Sequence, residues 1–147
     1  MNHLILKTVI NDMHEVIKEA DIVVREYVFE KNVNYVLIGI RRAGKSTLLY
    51  KIVRDLIAEG VDWNRIIYVN FEDERLTEFS LEDFNDLVAT AGELTSEKPY
   101  FFLDEVQNIP GWERFARRMA DAREHVYITG SNAAMLSHEM ESRLGGR

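Results

Sequence analysis

The sequence predicts a three-layer α/β fold in which a mainly parallel sheet is covered by helices on both faces. Short apolar runs alternate with segments of helical period along the whole chain, which is typical of repeated strand–helix units. The apolar runs contain almost no polar residues, as expected for strands whose two faces are both buried. We detect no internal repeat and no low-complexity linker.

The first half of the chain predicts two helices and two strands. Residues 10–28 have apolar residues at spacings of three and four, namely Ile10, Met13, Ile17, Ala20 and Val24. Residues 35–38 predict the first strand, and the helix that follows starts near Lys45 and ends at Gly60. A second buried strand is predicted over residues 66–69, ending on Asn70.

The second half predicts two more strands and three more helices. Ser80 with Asp83 is a plausible helix start, and the apolar face of that helix is Leu81, Phe84, Leu87, Val88 and Ala91. Residues 100–103 predict the third strand and residues 126–129 the fourth. The turn at Pro110-Gly111 introduces the helix between them, and a last helix is expected near residues 133–143.

Length, charge and composition restrict the class of protein. The 147 residues predict a single domain, with an N-terminal helical segment over 1–32 and an α/β core over 33–147. The net charge of −7 does not favour nucleic acid, so any such contact would need a local basic patch. The absence of cysteine excludes disulfides and thiolate metal sites. No stretch has the length of a membrane span or a secretory signal, so we expect a cytoplasmic protein.

A phosphate-binding loop follows the first strand. Residues 39–46 match the pattern G-x-x-x-x-G-K-[ST] between a predicted strand and a predicted helix. Glycines allow close backbone approach, and the helix start adds unpaired N–H groups and a positive dipole end. We expect Lys45 to reach the β- and γ-phosphates and the Ser46 hydroxyl to bind Mg²⁺. The predicted phosphate cradle is Gly39, Ile40, Arg41, Arg42, Ala43, Gly44, Lys45, Ser46 and Thr47.

Acidic and polar residues end the later strands. Asp104 follows four apolar residues and is predicted to hold Mg²⁺, directly or through water, from the end of a buried strand beside the phosphate-binding loop. Glu105 is predicted to orient an attacking water. Ser131 or Asn132 either senses the γ-phosphate or holds the attacking water, or else caps a helix. Asn70 either holds Glu105 in an inactive position or is a turn residue.

These motifs together resemble AAA-type ATPases of the additional-strand class. More closely, the chain resembles a prokaryotic AAA family whose members carry a C-terminal domain similar to a restriction endonuclease. The segments that carry this resemblance are residues 39–46, Asn70-Phe71-Glu72-Asp73, Leu103-Asp104-Glu105-Val106-Gln107 with Trp112, Thr129-Gly130-Ser131-Asn132 and Leu144-Gly145-Gly146-Arg147. The resemblance implies ATP as the nucleotide and Mg²⁺ as the metal. It also implies Arg147, or Arg143 instead, as an arginine that reaches a γ-phosphate or a neighbouring subunit.

The resemblance also predicts parts that this sequence does not contain. Such proteins continue into a final strand, a helical lid and a C-terminal domain, so we expect this chain to be part of a longer protein. Residues 34–38 would then form an apolar sheet edge that favours self-association. We expect nucleotide binding with slow or no hydrolysis in this chain alone.

The predicted function is therefore the ATP-binding core of an ATPase that couples hydrolysis to conformational change. Two alternatives stay open. One is a small-molecule kinase, which would need an acceptor pocket and an arginine-rich lid. The other is a nucleotide-dependent switch or scaffold that does not hydrolyse ATP. Assays of phosphate acceptors would distinguish the first, and the effect of Glu105→Gln on turnover would distinguish the second.

Overall fold

The computed structural model describes residues 1–22, 35–38 and 42–130, with the backbone alone for 35–38 and 42–45. The helices are α1 (His3–Glu19), α2 (Arg42–Ala58), α3 (Phe84–Leu94) and α4 (Trp112–Asp121). The strands are β1 (Tyr35–Ile38), β2 (Ile66–Asn70), β3 (Tyr100–Asp104) and β4 (His125–Gly130). The predicted alternation of strands and helices is confirmed up to β4, and the helix expected near residues 133–143 lies outside the described residues.

Among the described residues, four strands form one parallel sheet in the order β1-β4-β3-β2. The last residue of β2, Asn70, is in register with the last residue of β3, Asp104, and Ile38 is in register with Gly130. The carboxyl ends of these strands therefore lie at the same end of the sheet, where parallel sheets bind ligands. Strand β4 lies between β3 and β1, so the strand that ends on Asp104 is not the direct neighbour of the strand that precedes the phosphate-binding loop.

Helices cover both faces of the sheet, which confirms the three-layer α/β fold. Alternate strand residues enter two separate clusters, because successive side chains of a strand point to opposite faces. One cluster joins α3, α4 and the first half of α1 to the face of Ile67 and Val69. The other joins α2 and the second half of α1 to the face of Ile66 and Tyr68. Helix α1 thus packs along β2 and contributes to both layers.

The boundaries predicted for α1 were wrong at both ends. The helix begins at His3, where the Asn2 side-chain oxygen accepts a hydrogen bond from the Leu4 N–H at 2.7 Å. Its buried stripe already starts at Leu6, one turn before the predicted start. It ends at Glu19 because Ala20 is extended, with ψ 135°. Residues 23–28 of the prediction lie outside the described part of the chain.

The other helix boundaries follow local sequence signals. Helix α2 starts at Arg42, three residues before the expected start. It ends before Gly60, whose φ of 104° favours glycine. A 3₁₀ turn over Leu81–Asp83 precedes α3, and the Ser80 N–H donates to Asp83 Oδ2 at 2.8 Å, as the capping pair predicted. No helix among these described ranges has the length and apolar character needed to cross a membrane.

Candidate nucleotide-binding site

The Asp104 carboxylate lies at the centre of the candidate site. It ends β3 and is 1% exposed. Ser46, in the first turns of α2, donates its hydroxyl hydrogen bond to Asp104 Oδ2 at 2.8 Å. These two residues are 58 positions apart in the sequence, and both were predicted to bind the same metal. The fold therefore brings the start of the helix after the phosphate-binding loop against the carboxyl end of β3.

Two further hydroxyl groups bind the same carboxylate. Tyr68 on β2 donates to Asp104 Oδ2 at 2.5 Å, and Thr129 on β4 donates to Asp104 Oδ1. Both side chains are 0% exposed. Asp104 thus has hydroxyl donors from α2 and from the strands on either side of β3. Neither contact was predicted from the sequence, because a tyrosine such as Tyr68 is common in an apolar strand and a threonine such as Thr129 is common at a polar strand end.

The hydroxyl of Tyr68 is a permanent donor at neutral pH. Burial raises the pKa of Tyr68 well above its usual value, and the nearby Asp104 charge raises it further. The same two causes, burial first, raise the pKa of Tyr50, whose ring on α2 lies 5.6 Å from the Tyr68 ring. Ionisation of either phenol beside the carboxylate would be unfavourable, so both tyrosines remain neutral.

Glu105 has an unusual backbone conformation. Its φ of 56° and ψ of 46° are left-handed, a conformation that costs a non-glycine residue about 1 kcal/mol or more. Its N–H donates to Thr129 Oγ1 at 3.0 Å, and Gln107 Nε2 donates to Glu105 Oε1 at 2.8 Å. The side chain is 2% exposed. Thr129 therefore contacts both acids, accepting from the backbone of one and donating to the side chain of the other.

Asn70 has the contact expected of a turn residue. Its Oδ1 accepts a hydrogen bond from the Glu72 N–H at 3.0 Å. The amide that contacts the Glu105 carboxylate belongs to Gln107 instead, whose Nε2 donates to Glu105 Oε1. Asn108 holds the same loop, because its Nδ2 donates to the carbonyl oxygens of Phe71 and Glu105, each at 3.2 Å. Gln107 lies on the 3₁₀ turn that follows Glu105. The sequence shows this amide only two residues after the acid, and that spacing could have indicated the contact.

The structure describes part of the predicted phosphate cradle. Residues 42–45 form the first turn of α2, and Thr47 follows Ser46 in the same helix, half-buried. Helix α2 starts at Arg42, inside the 39–46 segment, so its N-terminus belongs to the predicted cradle, as an anion site at a helix N-terminus requires. The remaining predicted site residues lie outside the described residues: Gly39, Ile40, Arg41, Ser131, Asn132, Arg143 and Arg147.

The donor set at Asp104 fits Mg²⁺. A carboxylate and a hydroxyl oxygen are hard ligands, and Mg²⁺ in nucleotide sites is bound by few protein ligands together with substrate phosphates. Over the ranges that the structure describes, no group of three or more His, Asp or Glu residues could hold a metal ion, including the acidic loop Glu72-Asp73-Glu74. The pair Ser46 and Asp104 is therefore the candidate for a metal shared with a nucleotide.

Comparison with known proteins identifies the family. Residues 31–147 match the family described as an AAA domain. The chain belongs to this AAA family. The match covers all four strands of the sheet together with the predicted phosphate-binding loop. Membership in the AAA family indicates a nucleotide-binding, ATPase-like protein with the α/β P-loop fold.

Two curated proteins are also similar to this chain. An uncharacterized protein of Methanocaldococcus jannaschii is 34% identical over 146 residues, which are 98% of this chain and 32% of that protein. An uncharacterized protein of Haemophilus influenzae is 36% identical over 114 residues, which are 76% of this chain and 28% of that protein. The chain thus spans about a third of the length of the curated relatives it matches. No solved structure matches it.

Proposed function

We propose that this AAA chain is the ATP-binding core of an ATPase that binds Mg²⁺–ATP and, within a longer protein, hydrolyses it to drive conformational change. The observation that supports the proposal is the 2.8 Å hydrogen bond between Ser46 Oγ and Asp104 Oδ2. A hydroxyl after a phosphate-binding loop and a carboxylate at a strand end are the two protein ligands that P-loop NTPases use for Mg²⁺. When bound, the metal neutralises charge on the β- and γ-phosphates.

Different residues of the chain would bind the phosphates, bind the metal and activate the attacking water. Backbone N–H groups of residues 39–46 and the Lys45 ammonium hold the phosphates. Ser46 and Asp104 hold the metal. Glu105 accepts a proton from the water that attacks the γ-phosphate in line. The left-handed backbone of Glu105, tied through its N–H to Thr129 at 3.0 Å, fixes the carboxylate one residue beyond Asp104.

Charge stabilisation beyond Lys45 would come from an arginine. We propose Arg147, with Arg143 as the alternative, acting on the nucleotide of the same or a neighbouring subunit. We place the protein in the cytoplasm, which is consistent with a sequence that contains no cysteine. Ser131 and Asn132 follow β4 directly, and we propose that one of them senses the γ-phosphate.

The test of hydrolysis is phosphate release with Glu105→Gln. We expect the variant to bind ATP within about threefold of the unchanged chain and to hydrolyse it at least about 100-fold more slowly, because the amide does not accept the proton of water. Since the chain spans about a third of its relatives' length, the assay is run on this chain and on a version extended to that length. We expect the extended protein to hydrolyse faster.

The matched control is Glu97→Gln, which removes a carboxylate from an exposed turn before β3. We expect this variant to bind and hydrolyse ATP like the unchanged protein. Equal hydrolysis by Glu105→Gln and the unchanged protein would contradict the role of Glu105. ATP binding without hydrolysis in both the chain and the extended protein would favour the switch or scaffold instead.

A further inference from the structure

Tyr68 is placed to act on Asp104 by the register of the sheet. Tyr68 pairs with Phe102 on β3, and Asp104 follows two residues later on the same face. Such diagonal neighbours on adjacent strands lie within reach of a long aromatic side chain. The phenol ring crosses this distance, and its hydroxyl donates to Asp104 Oδ2 at 2.5 Å.

Packing alone does not explain a tyrosine at this position. The rings of Tyr68, Phe102 and Tyr127 form a cross-strand row under α2, with centroid separations of 5.9 Å and 4.7 Å. A phenylalanine would fill the same volume without burying a hydroxyl. Burial of a hydroxyl is unfavourable unless it forms a hydrogen bond, and the acceptor here is the carboxylate of the candidate metal site.

Two hydroxyls share one oxygen of Asp104. Ser46 and Tyr68 both donate to Oδ2, whereas Thr129 donates to Oδ1. Ser46 is the proposed metal ligand, and its hydroxyl oxygen can bind a metal through a lone pair while its hydrogen still donates to Asp104. Tyr68 and Thr129 donate to the two carboxylate oxygens and would hold their orientation when a metal is bound. Partners of metal-ligating carboxylates often set metal affinity in this way.

We propose that Tyr68 is a positioning residue that orients the Asp104 carboxylate for Mg²⁺ and thereby sets the Mg²⁺ dependence of nucleotide binding. The inference depends on the proposed function, because it assumes that Ser46 and Asp104 share the metal. It predicts that Tyr68 affects the coupling between Mg²⁺ and nucleotide, and leaves the metal-independent contacts of the phosphates unchanged.

The experiment compares Tyr68→Phe with the unchanged chain by calorimetry, using a slow-hydrolysing ATP analogue. Binding is measured with a chelator and over a titration of Mg²⁺. We expect Tyr68→Phe to raise the Mg²⁺ concentration for half-maximal binding about tenfold, with unchanged affinity in the chelator. The matched control is Tyr100→Phe, which removes a hydroxyl from the opposite end of β3, where the ring stacks on His125 at 4.3 Å. We expect no change in that variant.

A double-mutant cycle tests whether Tyr68 acts through Asp104. In an Asp104→Asn background the carboxylate is absent, so adding Tyr68→Phe should change the Mg²⁺ dependence by less than about twofold. An unchanged chain that folds but binds no nucleotide, or binds it equally without Mg²⁺, would contradict the proposed function. A Mg²⁺-dependent chain in which Tyr68→Phe has no effect, or weakens binding equally with and without Mg²⁺, would overturn the inference about Tyr68 alone.

Discussion

Thr129 connects the two acidic residues of the site, and its removal should destabilise the protein strongly. In Thr129→Val the shape is kept but the hydroxyl is lost. Asp104 Oδ1 then loses a buried donor, and the Glu105 N–H loses its acceptor at 3.0 Å. A buried polar group left unsatisfied costs about 1–3 kcal/mol, and two are affected here. We expect the free energy of unfolding to fall by about 3 kcal/mol.

The measurement is urea unfolding followed by circular dichroism. With a slope of about 2 kcal/mol per molar urea, a loss of about 3 kcal/mol lowers the midpoint by about 1.5 M. Thr90→Val is the matched control, because Thr90 is 0% exposed and its Oγ1 has no hydrogen-bond partner among the described residues. We expect that change to be neutral or to stabilise by up to about 1 kcal/mol. Equal midpoints for the two variants would show that the hydrogen bonds of the Thr129 hydroxyl do not stabilise the fold.

Two further predictions concern backbone strain and pH. Gly111→Ala should destabilise by about 1–2 kcal/mol, because φ is 85° and an added Cβ would lie 2.9 Å from Leu81 Cδ2. Gly92→Ala in α3 should stabilise the protein by about 0.5–1 kcal/mol, since an added Cβ there meets nothing within 4 Å. A urea midpoint that is higher for Gly111→Ala than for Gly92→Ala would contradict both expectations. Burial lowers the pKa of His14 below 6.5, and its Nε2 donates to the Ile66 carbonyl at 2.7 Å. The unfolded chain therefore binds the proton more tightly, so this contribution to stability is present above pH 6.5 and is lost as pH falls through the folded pKa. When the pH is lowered from 7.5 to about 5.5, the free energy of unfolding should fall less in His14→Gln than in the unchanged chain. An equal fall in both proteins would contradict this prediction.

The fold was predictable because its signals are local and repeated. Each strand in the part of the chain that the structure describes is a short apolar run, and turn residues such as Gly60 and Gly111 mark the connections. The predicted helix started at Ile10, too late in the sequence, because Leu6 belongs to the same buried face of α1. The position of β4 between β1 and β3 is a long-range property, which the order of strands along the chain does not state.

The candidate site was predictable where motifs carry its chemistry. Ser46 and Asp104 were expected to share a metal, and the structure brings them within hydrogen-bond distance. Tyr68, Thr129 and Gln107 were not recognised, because their contacts depend on register and on the backbone of Glu105. A buried tyrosine in an apolar strand is usually a packing residue, and only the three-dimensional structure shows the carboxylate that its hydroxyl reaches.

The central claim is that the start of α2 and the carboxyl end of β3 form one Mg²⁺–nucleotide site. It is tested most directly by calorimetric titration of a slow-hydrolysing ATP analogue with Mg²⁺ into the unchanged chain, Lys45→Ala and Lys51→Ala. Lys51 lies on the same helix and pairs with Asp55 at 3.0 Å, so it is the matched control. We expect one bound nucleotide, lost in Lys45→Ala and retained in Lys51→Ala. A folded chain that binds no nucleotide, or a Lys45→Ala variant that binds it equally well, would show that the start of α2 and the end of β3 do not form such a site.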